Sequence, residues 1–275
     1  MIVKIKGPIV SVEWLNNNLE SHNLVILDAS IPKITEGNNT KTNIQIPNTR
    51  FFNLKESFSD TSAPFPSTFP SEKQFTKEAQ NLGINKNSAI VVYDDKGIYS
   101  SARVWWMFKA MGHNNIAVLN GGLPQWILTG YGTEPKKQQD IVKGNFAANF
   151  SPGLMKFFDD VKEASLCKSH VIMDARSEAR FNGLVPEPRE GLRSGTIPNS
   201  VNLPFEDLLD GHQLKSKAEL EVEFLKRAEK DDALLFSCGS GITACILALG
   251  AEISGYKNIS VYDGSWTEWG SLVPV

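Results

Sequence analysis

Short apolar runs, separated by stretches of helical period, dominate the pattern of hydrophobic and polar positions along this chain. The clearest runs are Leu24–Leu27, Ala89–Tyr93, Ile116–Leu119, His170–Met173, Ala233–Phe236 and Ile259–Tyr262. Strands this apolar are typical of parallel sheets whose two faces are both covered by helices. Because the strands alternate with helical stretches, the pattern predicts an α/β fold.

The same pattern occurs twice, with a period of about 145 residues, which predicts a duplicated domain. The corresponding segments are Leu27-Asp28-Ala29-Ser30 with Met173-Asp174-Ala175-Arg176, Ile46-Pro47-Asn48 with Ile197-Pro198-Asn199, Asp94 with Cys238, and Asn120-Gly121-Gly122 with Asp263-Gly264-Ser265. Helix starts also agree between the halves. Ser71 with Gln74, and Ser216 with Glu219, each predict a capping box.

A polar stretch with weak periodicity separates the two copies. It runs from Tyr131 to Gly153 and contains several glycines and prolines, as interdomain linkers do. We therefore expect a first domain at residues 1–135, a linker at residues 136–152 and a second domain at residues 153–275. A chain of 275 residues is long enough for each domain to bury its own core.

Composition and charge narrow the range of partners. The net charge of -3 and the isoelectric point near 5.9 argue against binding to nucleic acid or to an anionic membrane surface. No apolar run approaches the length needed to span a bilayer. The segment from Met1 to Val10 lacks a long apolar core and a cleavage site, so it predicts an opening strand and not a signal peptide.

The metal-ligating residue types are few and scattered. Cys167, Cys238 and Cys245 have neither the number nor the spacing of a disulfide framework or a metal site. Free cysteines suit a reducing compartment, so we expect a cytoplasmic protein. The histidines form no cluster of ligands, and we expect no metal and no cofactor; they are His22, His113, His170 and His212.

Cys238 is the strongest candidate for chemistry in the chain. It follows the apolar run Ala233–Phe236, and a turn with Gly239 and Gly241 connects it to a helical run that begins at Thr243. This arrangement places the thiol at the N-terminus of a helix, where backbone N–H groups stabilise an anion and favour the nucleophilic thiolate. Since ligands of open α/β sheets bind beyond the carboxyl ends of the strands, the site is expected in the second domain.

The run Cys238-Gly239-Ser240-Gly241-Ile242-Thr243-Ala244 resembles the active loop of the mercaptopyruvate sulfurtransferases, in the rhodanese superfamily. The resemblance extends over nearly the whole chain and is most specific in the second half. It is carried by Ile46-Pro47 through Phe51-Phe52, Gly121-Gly122-Leu123-Pro124-Gln125-Trp126, Asp174-Ala175-Arg176, Arg180-Phe181, Pro186-Glu187-Pro188-Arg189, Gly195-Thr196-Ile197-Pro198 and Asn202-Leu203-Pro204-Phe205. It implies tandem rhodanese-like domains, each a parallel sheet flanked by helices.

The resemblance implies a ping-pong transfer of sulfur. The Cys238 thiolate takes sulfur from the donor as a persulfide, which a thiol, cyanide or thioredoxin then removes. The backbone N–H groups of Gly239, Gly241, Ile242 and Thr243 would hold the sulfur, and Ser240 could pass a proton to the departing enolate. A plain helix N-cap is an equally good explanation of Thr243.

Two arginines are the candidates for binding the substrate carboxylate. Arg180 and Arg189 occupy the positions that bind mercaptopyruvate in the family, and a guanidinium fits a carboxylate with two parallel hydrogen bonds. The alternative is pairing at the surface with Glu178, Glu187 or Glu190, which would contribute little. Arg176 and Arg193 are expected to be structural.

The first copy departs from the second at the position of the nucleophile. It carries Asp94 in place of Cys238, and a carboxylate can neither carry transferable sulfur nor attract an anionic donor. We therefore expect the first domain to be catalytically silent. The family also often has a histidine and an aspartate in the first-domain loop, where Ser67 and Glu56 stand here, so donor preference could differ.

Three other functions fit the sequence less well than sulfur transfer from mercaptopyruvate. Thiosulfate sulfurtransferases typically have Arg and Lys after the loop cysteine, and the neutral Gly239 and Ser240 favour a carboxylate-anchored donor. Phosphatases on the same fold need an arginine six residues after the cysteine, where Ala244 stands. A non-catalytic binding module would suit the first half, but not a chain with an intact Cys238 loop and both arginines.

Overall fold

Two parallel sheets with the same strand order form the framework of the chain. The computed structural model describes residues 2–33, 42–137 and 139–274. The chain divides into two compact units. The first comprises Met1–Asp60, Phe69–Phe150 and Asp210–Leu214, and the second comprises Thr61–Thr68, Ser151–Leu209 and Lys215–Val275.

The first unit is built on a sheet of five strands among the described residues. In chain order the strands of this unit are β1 (Ile9–Val10), β2 (Leu24–Asp28), β3 (Ile44–Gln45), β4 (Thr49–Phe51), β5 (Ala89–Tyr93), β6 (Ile116–Leu119) and β7 (Glu134–Pro135). The main sheet has the order β1-β6-β5-β2-β4, and every neighbouring pair is parallel. Strands β3 and β7 form a separate antiparallel pair.

The helices of the first unit are α1 (Val12–Asn17), α2 (Glu72–Asn81), α3 (Ser101–Ala110) and α4 (Gly122–Leu128). Helix α3 is buried along almost its whole length, including both of its tryptophans. The central strand β5 is buried at all of its positions. A strand buried on both faces and a helix buried all round are what a helix-covered parallel sheet requires.

The second unit repeats this framework. The remaining strands of the chain are β8 (Met155–Lys156), β9 (Val171–Asp174), β10 (Ser200–Asn202), β11 (Leu209–Asp210), β12 (Gln213–Leu214), β13 (Leu234–Ser237) and β14 (Ile259–Tyr262). Strands β11 and β12 form a separate pair that belongs to the first unit except for Leu209, and the other five strands belong to the second unit. Its helices are α5 (Phe158–Cys167), α6 (Glu178–Phe181), α7 (Lys217–Leu225), α8 (Ala244–Ile253) and α9 (Ser265–Leu272), with a 3₁₀ turn at Phe205–Leu208.

The order of the second main sheet is β10-β9-β13-β14-β8, again with parallel neighbours throughout. Matched strand by strand, it equals the order of the first sheet read from β4 to β1. The predicted α/β fold with two helix-flanked parallel sheets is therefore confirmed. The register pairs Ser237 with Asp174, so the chain beyond each of these residues emerges at the same edge of the second sheet.

Of the two capping boxes predicted from the sequence, one is complete and the other is half formed. Ser216 and Glu219 form the predicted capping box, with the Ser216 N–H donating to Glu219 Oε2 at 2.9 Å. Ser71 Oγ accepts the Gln74 N–H, but the Gln74 side chain donates to the carbonyl oxygens of Ser57 and Ser59 instead. The capping box at Ser71 is therefore only half formed, because the Gln74 side chain is hydrogen-bonded to the preceding loop.

The segment predicted as a linker is hydrogen-bonded along the first unit up to Phe150. The Gly144 N–H donates to the Gln80 carbonyl at 2.8 Å, and the Phe146 N–H donates to the Ile84 carbonyl at 3.0 Å. Phe146 is buried and packs edge-on against Phe75. Nothing in the polar composition of this segment indicated such contacts. None of the helices in the described part of the chain has the length and hydrophobicity that crossing a bilayer requires.

Candidate active site

Cys238 lies in a short connection between strand β13 and helix α8. The strand ends at Ser237, and the helix begins at Ala244, with Thr243 as its N-cap residue. Gly241 has a φ of 73°, a left-handed conformation that glycine adopts without strain and that turns the chain back toward the thiol. The Thr243 side chain makes no capping hydrogen bond, which removes the simplest structural explanation of that residue.

The loop is largely closed off from solvent. Cys238 is 1% exposed and Ser240 is 9% exposed. Of the residues from Cys238 to Thr243, Gly239 and Thr243 are partly exposed and the others are buried. The partly exposed residues of the loop are therefore the one next to the cysteine and the one at the start of helix α8.

Ser265 braces the loop from the start of helix α9. Its Oγ accepts the backbone N–H groups of Cys238 and Gly241, both at 3.1 Å, and donates to the Tyr262 carbonyl at 3.0 Å. The same oxygen lies 3.9 Å from Cys238 Sγ. The Gly241 N–H, which the sequence suggested as a ligand of the sulfur, donates here to Ser265. Its role toward a substrate stays a prediction.

The next two residues of helix α9 fasten the loop carbonyls. The Trp266 N–H donates to the Cys238 carbonyl at 2.9 Å, and the Thr267 N–H donates to the Gly239 carbonyl at 2.9 Å. Thr267 Oγ1 donates to the same Gly239 oxygen at 2.5 Å. With two of its N–H groups and two of its carbonyls engaged in this way, the turn is held in one conformation before any substrate arrives.

The structure brings Arg180 to the loop. This residue lies on the single-turn helix α6, and its Nη2 is 3.1 Å from the point where a β-carbon on Gly239 would stand. Its guanidinium pairs with Glu187, with Nη2 to Oε2 at 2.5 Å and Nε to Oε1 at 3.3 Å. The alternative of pairing with a glutamate is thus realised, but not at the surface, because the Glu187 side chain is only 1% exposed.

Arg189 also lies close to Gly239. Its Nη1 lies 4.0 Å from the same β-carbon position and donates to Thr267 Oγ1 at 3.0 Å. The two predicted substrate-binding arginines therefore both lie next to Gly239. A group with negative charge at this point would meet two guanidinium groups.

Arg176 and Arg193 enclose an indole ring behind the site. The guanidinium carbons lie 4.7 Å and 4.6 Å from the Trp266 ring centroid. Burial by itself would lower the pKa of Arg176, but hydrogen bonds and charge pairing with Asp174 and Glu187 hold that pKa above its usual value. Arg176 also donates to the Gly195 carbonyl at 2.9 Å. This buried network fits the structural role expected for both arginines.

The corresponding loop of the first unit is filled by its own carboxylate. Asp94 is fully buried, and its two carboxylate oxygens accept backbone N–H groups of Lys96, Tyr99 and Ser101 at 2.8–3.0 Å. The N–H groups of Lys96, Tyr99 and Ser101 are therefore occupied by the side chain of Asp94 itself.

The two first-domain residues that depart from the family are placed by local contacts. Glu56 is exposed, and its Oε2 accepts the Asn53 side-chain N–H at 2.7 Å. Ser67 is partly buried and has a φ of 63°. It belongs to Thr61–Thr68, the segment of the first half of the sequence that is part of the second unit.

Sequence reasoning missed Ser265, Thr267 and the buried position of Glu187. One signal could have found Ser265, because it replaces Gly122 of the first copy at a position that needs a left-handed backbone. Gly122 has a φ of 55° and Ser265 a φ of 50°. A serine kept where glycine is easier indicates that the side chain is used. No group of three or more metal-ligating side chains occurs in the part of the chain that the structure describes.

Comparisons with known proteins agree with this geometry. The Rhodanese-like domain family matches residues 11–129 and 158–272. Thiosulfate/3-mercaptopyruvate sulfurtransferase 1, mitochondrial, of Arabidopsis thaliana is 40% identical over 97% of this chain and 77% of its own length. Thiosulfate sulfurtransferase of Mus musculus is 37% identical over 97% of this chain and 93% of its own length.

A solved structure gives the same result. The crystal structure of SseA from Escherichia coli, a 3-mercaptopyruvate sulfotransferase, superposes with a TM-score of 0.84 at 31% identity, over 95% of this chain and 99% of that one. The family match covers two separate segments that each contain four of the five strands of one parallel sheet, with the edge strands β1 and β8 just before them. The chain therefore belongs to the rhodanese family and contains two rhodanese-like domains.

Proposed function

We propose that the protein is a sulfurtransferase that takes sulfur from 3-mercaptopyruvate onto Cys238 and passes it to a thiol or to cyanide. The observation that carries this proposal is the convergence of Arg180 and Arg189 on Gly239, next to the nucleophile. A cysteine beside two guanidinium groups suits a donor that has its sulfur and its carboxylate a few bonds apart.

In the first half-reaction the Cys238 thiolate attacks the donor sulfur. The sulfur–sulfur bond forms as the carbon–sulfur bond breaks, and the electron pair of the broken bond goes to the enolate of pyruvate. A proton from Ser240 or from solvent then gives pyruvate. Ser240 is the loop residue with a hydroxyl next to Gly239, which makes it the candidate donor of that proton.

In the second half-reaction an acceptor thiolate attacks the outer sulfur of the persulfide. This step forms a new persulfide on the acceptor and restores the Cys238 thiolate, so no external oxidant or reductant is needed. The backbone N–H groups of Gly239, Ile242 and Thr243 are the proposed ligands of the outer sulfur, together with Gly241 if its bond to Ser265 is exchanged.

The neutral loop favours mercaptopyruvate over thiosulfate. Thiosulfate carries two negative charges and no carbon skeleton, and Gly239 and Ser240 add no charge to hold it. Thiosulfate is nevertheless a second candidate donor, because Arg180 and Arg189 supply positive potential at the same point. The Arabidopsis relative is named for both donors and the mouse relative for thiosulfate, and the two are 40% and 37% identical to the chain.

We assign catalysis to the second domain, residues 153–275, with residues 136–152 as the connection. The first domain, residues 1–135, is catalytically silent in this proposal because Asp94 fills the position of the nucleophile. The three free cysteines support a reducing compartment such as the cytoplasm, where small thiols or thioredoxin are available as acceptors.

A side-by-side rate measurement tests the proposal. Purified protein is given mercaptopyruvate or thiosulfate with cyanide as the common acceptor, and product is followed over a range of donor concentrations. We expect a higher kcat/KM with mercaptopyruvate. A preference for thiosulfate would reverse the order of the two donors, and transfer from neither donor would overturn the assignment as a sulfurtransferase.

A further inference from the structure

Glu187 is a buried carboxylate that joins two arginines in different surroundings. Its Oε1 accepts Arg176 Nη1 at 2.8 Å, and its Oε2 accepts Arg180 Nη2 at 2.5 Å. The Arg176 side chain is fully buried, whereas the Arg180 side chain is 25% exposed. The carboxylate thus connects the interior of the second unit to an arginine at the edge of the candidate site.

The pairing uses only one side of the Arg180 guanidinium. Glu187 takes the N–H of Nε and one N–H of Nη2. The remaining N–H groups, two on Nη1 and one on Nη2, have no partner among the residues that the structure describes. Those groups form the outer edge of the guanidinium, which can bind a second carboxylate with two parallel hydrogen bonds. Nη2, one of the two nitrogens of this edge, is 3.1 Å from the position of a β-carbon on Gly239, so the edge has one end next to the loop.

We propose that Glu187 is a positioning residue, which holds Arg180 with its outer edge toward the loop so that the donor carboxylate binds to a guanidinium already in place. The proposal rests on the function proposed above, with mercaptopyruvate as the donor. Glu187 does not touch the substrate in this arrangement, and it acts through Arg180.

A buried carboxylate is suited to this role. An arginine side chain has many rotamers, and a partner that fixes its orientation before binding reduces the entropy that the substrate must otherwise overcome. Glu187 is itself fixed, because Arg176 holds its other oxygen and Asp174 holds Arg176 through Oδ2 at 2.6 Å. The chain of contacts therefore runs from the end of strand β9 to the loop.

The competing explanation is that Glu187 only neutralises Arg176 and stabilises the fold. The two roles differ in how they depend on Arg180. A positioning effect disappears when Arg180 is absent, whereas a structural effect through Arg176 remains. A double-mutant cycle separates them, since it measures the coupling between the two side chains directly.

The experiment compares wild type, Glu187→Gln, Arg180→Ala and the double variant with both donors. Glu187→Gln is expected to raise KM for mercaptopyruvate about tenfold, with kcat within about threefold, and to change thiosulfate turnover less. In the Arg180→Ala background the same substitution should have little further effect on KM. Glu223→Gln is the matched control. Glu223 lies on helix α7 and, like Glu187, pairs with two cationic side chains, those of Lys226 and Arg227.

The outcomes separate this proposal from the function on which it rests. If wild type does not use mercaptopyruvate, the proposed function fails. If wild type uses it and Glu187→Gln leaves KM unchanged, or raises it equally in the Arg180→Ala background, the positioning role fails. If Glu187→Gln does not fold, Glu187→Asp replaces it in the experiment, because an aspartate keeps a negative charge to pair with Arg176. Its shorter reach should raise KM for mercaptopyruvate and leave the thermal midpoint near that of wild type, and an unchanged KM would again overturn the role.

Discussion

In the first unit, Leu123 donates its backbone N–H to the carbonyl oxygen of Asp94 at 3.0 Å. Trp266 makes the same contact with Cys238 in the second unit. The two loops are therefore bonded in the same way to the helix that follows the next strand, α4 in the first unit and α9 in the second, although one loop carries a carboxylate and the other a thiol. What differs is the residue before the donor, which is Gly122 in the first unit and Ser265 in the second. This backbone hydrogen bond is common to both copies, and the difference in chemistry between the copies depends on a few side chains.

The nucleophile gives the first prediction. Cys238→Ser should abolish transfer, because a hydroxyl cannot carry the sulfur, while exposed Cys167→Ala should keep the activity of wild type. Mass analysis after addition of donor should find one extra sulfur on the peptide that contains Cys238. Cys245→Ala is expected to retain transfer with a small loss of stability, since Cys245 is buried and its Sγ donates to the Gly241 carbonyl. Persulfide on Cys167 instead would contradict the assignment.

A side chain at Gly239 should change the choice of donor. Its β-carbon would stand 3.1 Å from Arg180 Nη2, so a longer cationic side chain must displace that arginine and would also repel it. We expect Gly239→Arg to lower kcat/KM for mercaptopyruvate at least tenfold and to raise the ratio of thiosulfate to mercaptopyruvate turnover. Gly239→Ala is the control for bulk alone. An equal loss with both donors would show that the substitution distorts the loop.

The two arginines should each contribute to binding of the donor. Charge-assisted hydrogen bonds are worth about 1.5–3 kcal/mol, so Arg180→Ala or Arg189→Ala should lower kcat/KM for mercaptopyruvate by about ten- to a hundredfold. Lysine should restore little, because an ammonium cannot reproduce the two parallel bonds of a guanidinium. Steady-state kinetics with both donors measure this. Thiosulfate turnover should fall less, and equal losses would assign the arginines to the shape of the loop.

Ser265 should matter for stability as well as for transfer. Ser265→Ala leaves the N–H groups of Cys238 and Gly241 without their acceptor, and each buried unsatisfied group costs about 1–3 kcal/mol. Urea denaturation should show a lower free energy of unfolding. Ser265→Gly loses the same acceptor but relieves the left-handed backbone, so it should be about 1 kcal/mol more stable than the alanine variant.

The control for this pair is Ser271→Ala on the same helix, where the hydroxyl donates to the Thr267 carbonyl away from the loop. It should keep the activity of wild type. Should Ser265→Ala unfold at the same urea concentration as wild type, the two N–H groups have found other acceptors and the bracing role is wrong.

Protonation of His113 should contribute to the pH dependence of the free energy of unfolding. Burial lowers the pKa of this side chain below its usual value, and its Nε2 donates to the Ser88 carbonyl at 3.0 Å. The unfolded chain therefore binds the proton at a higher pH than the folded chain does. As the pH falls below the pKa of an unfolded histidine, about 6.5, protonation favours unfolding and the free energy of unfolding decreases.

His113→Gln should remove that part of the pH dependence, whereas His22→Gln, at an exposed position, should leave it unchanged. Urea denaturation at several pH values between about 7 and 5 measures the slope for each protein. Identical slopes for wild type and His113→Gln would show that the histidine does not couple to folding.

The sequence was sufficient for the framework and for the nucleophile. Runs of apolar residues predicted Ala89–Tyr93 and Ile259–Tyr262 as strands, and the structure has strands at those residues. Such runs are reliable because burial on both faces leaves little choice of residue type. Cys238 could be found because the strand, the glycines and the helix are contiguous in sequence.

The residues that hold the Cys238 loop and Arg180 in place could not be predicted in the same way. Ser265 and Thr267 reach the loop from 27 and 28 residues further along the chain, and contacts of that kind depend on how two strands and their helices pack. The glutamates near Arg180 were equivalent in sequence, and only packing makes Glu187 the buried one. The contacts of the polar stretch before Phe150 were not predicted for a related reason, since several of them are backbone hydrogen bonds, such as the one from the Gly144 N–H to the Gln80 carbonyl.

Gly239 is partly exposed whereas Cys238 beside it is covered, so in the proposed reaction the donor and the acceptor use the same small site in turn. Pyruvate has to leave before the acceptor can reach the outer sulfur, and the acceptor has to leave before the next donor can enter. An acceptor anion that settles between the arginines while Cys238 is still unloaded keeps the donor out. In the proposed mechanism, high concentrations of such an acceptor are therefore expected to slow turnover, and additional donor is expected to restore it by competition.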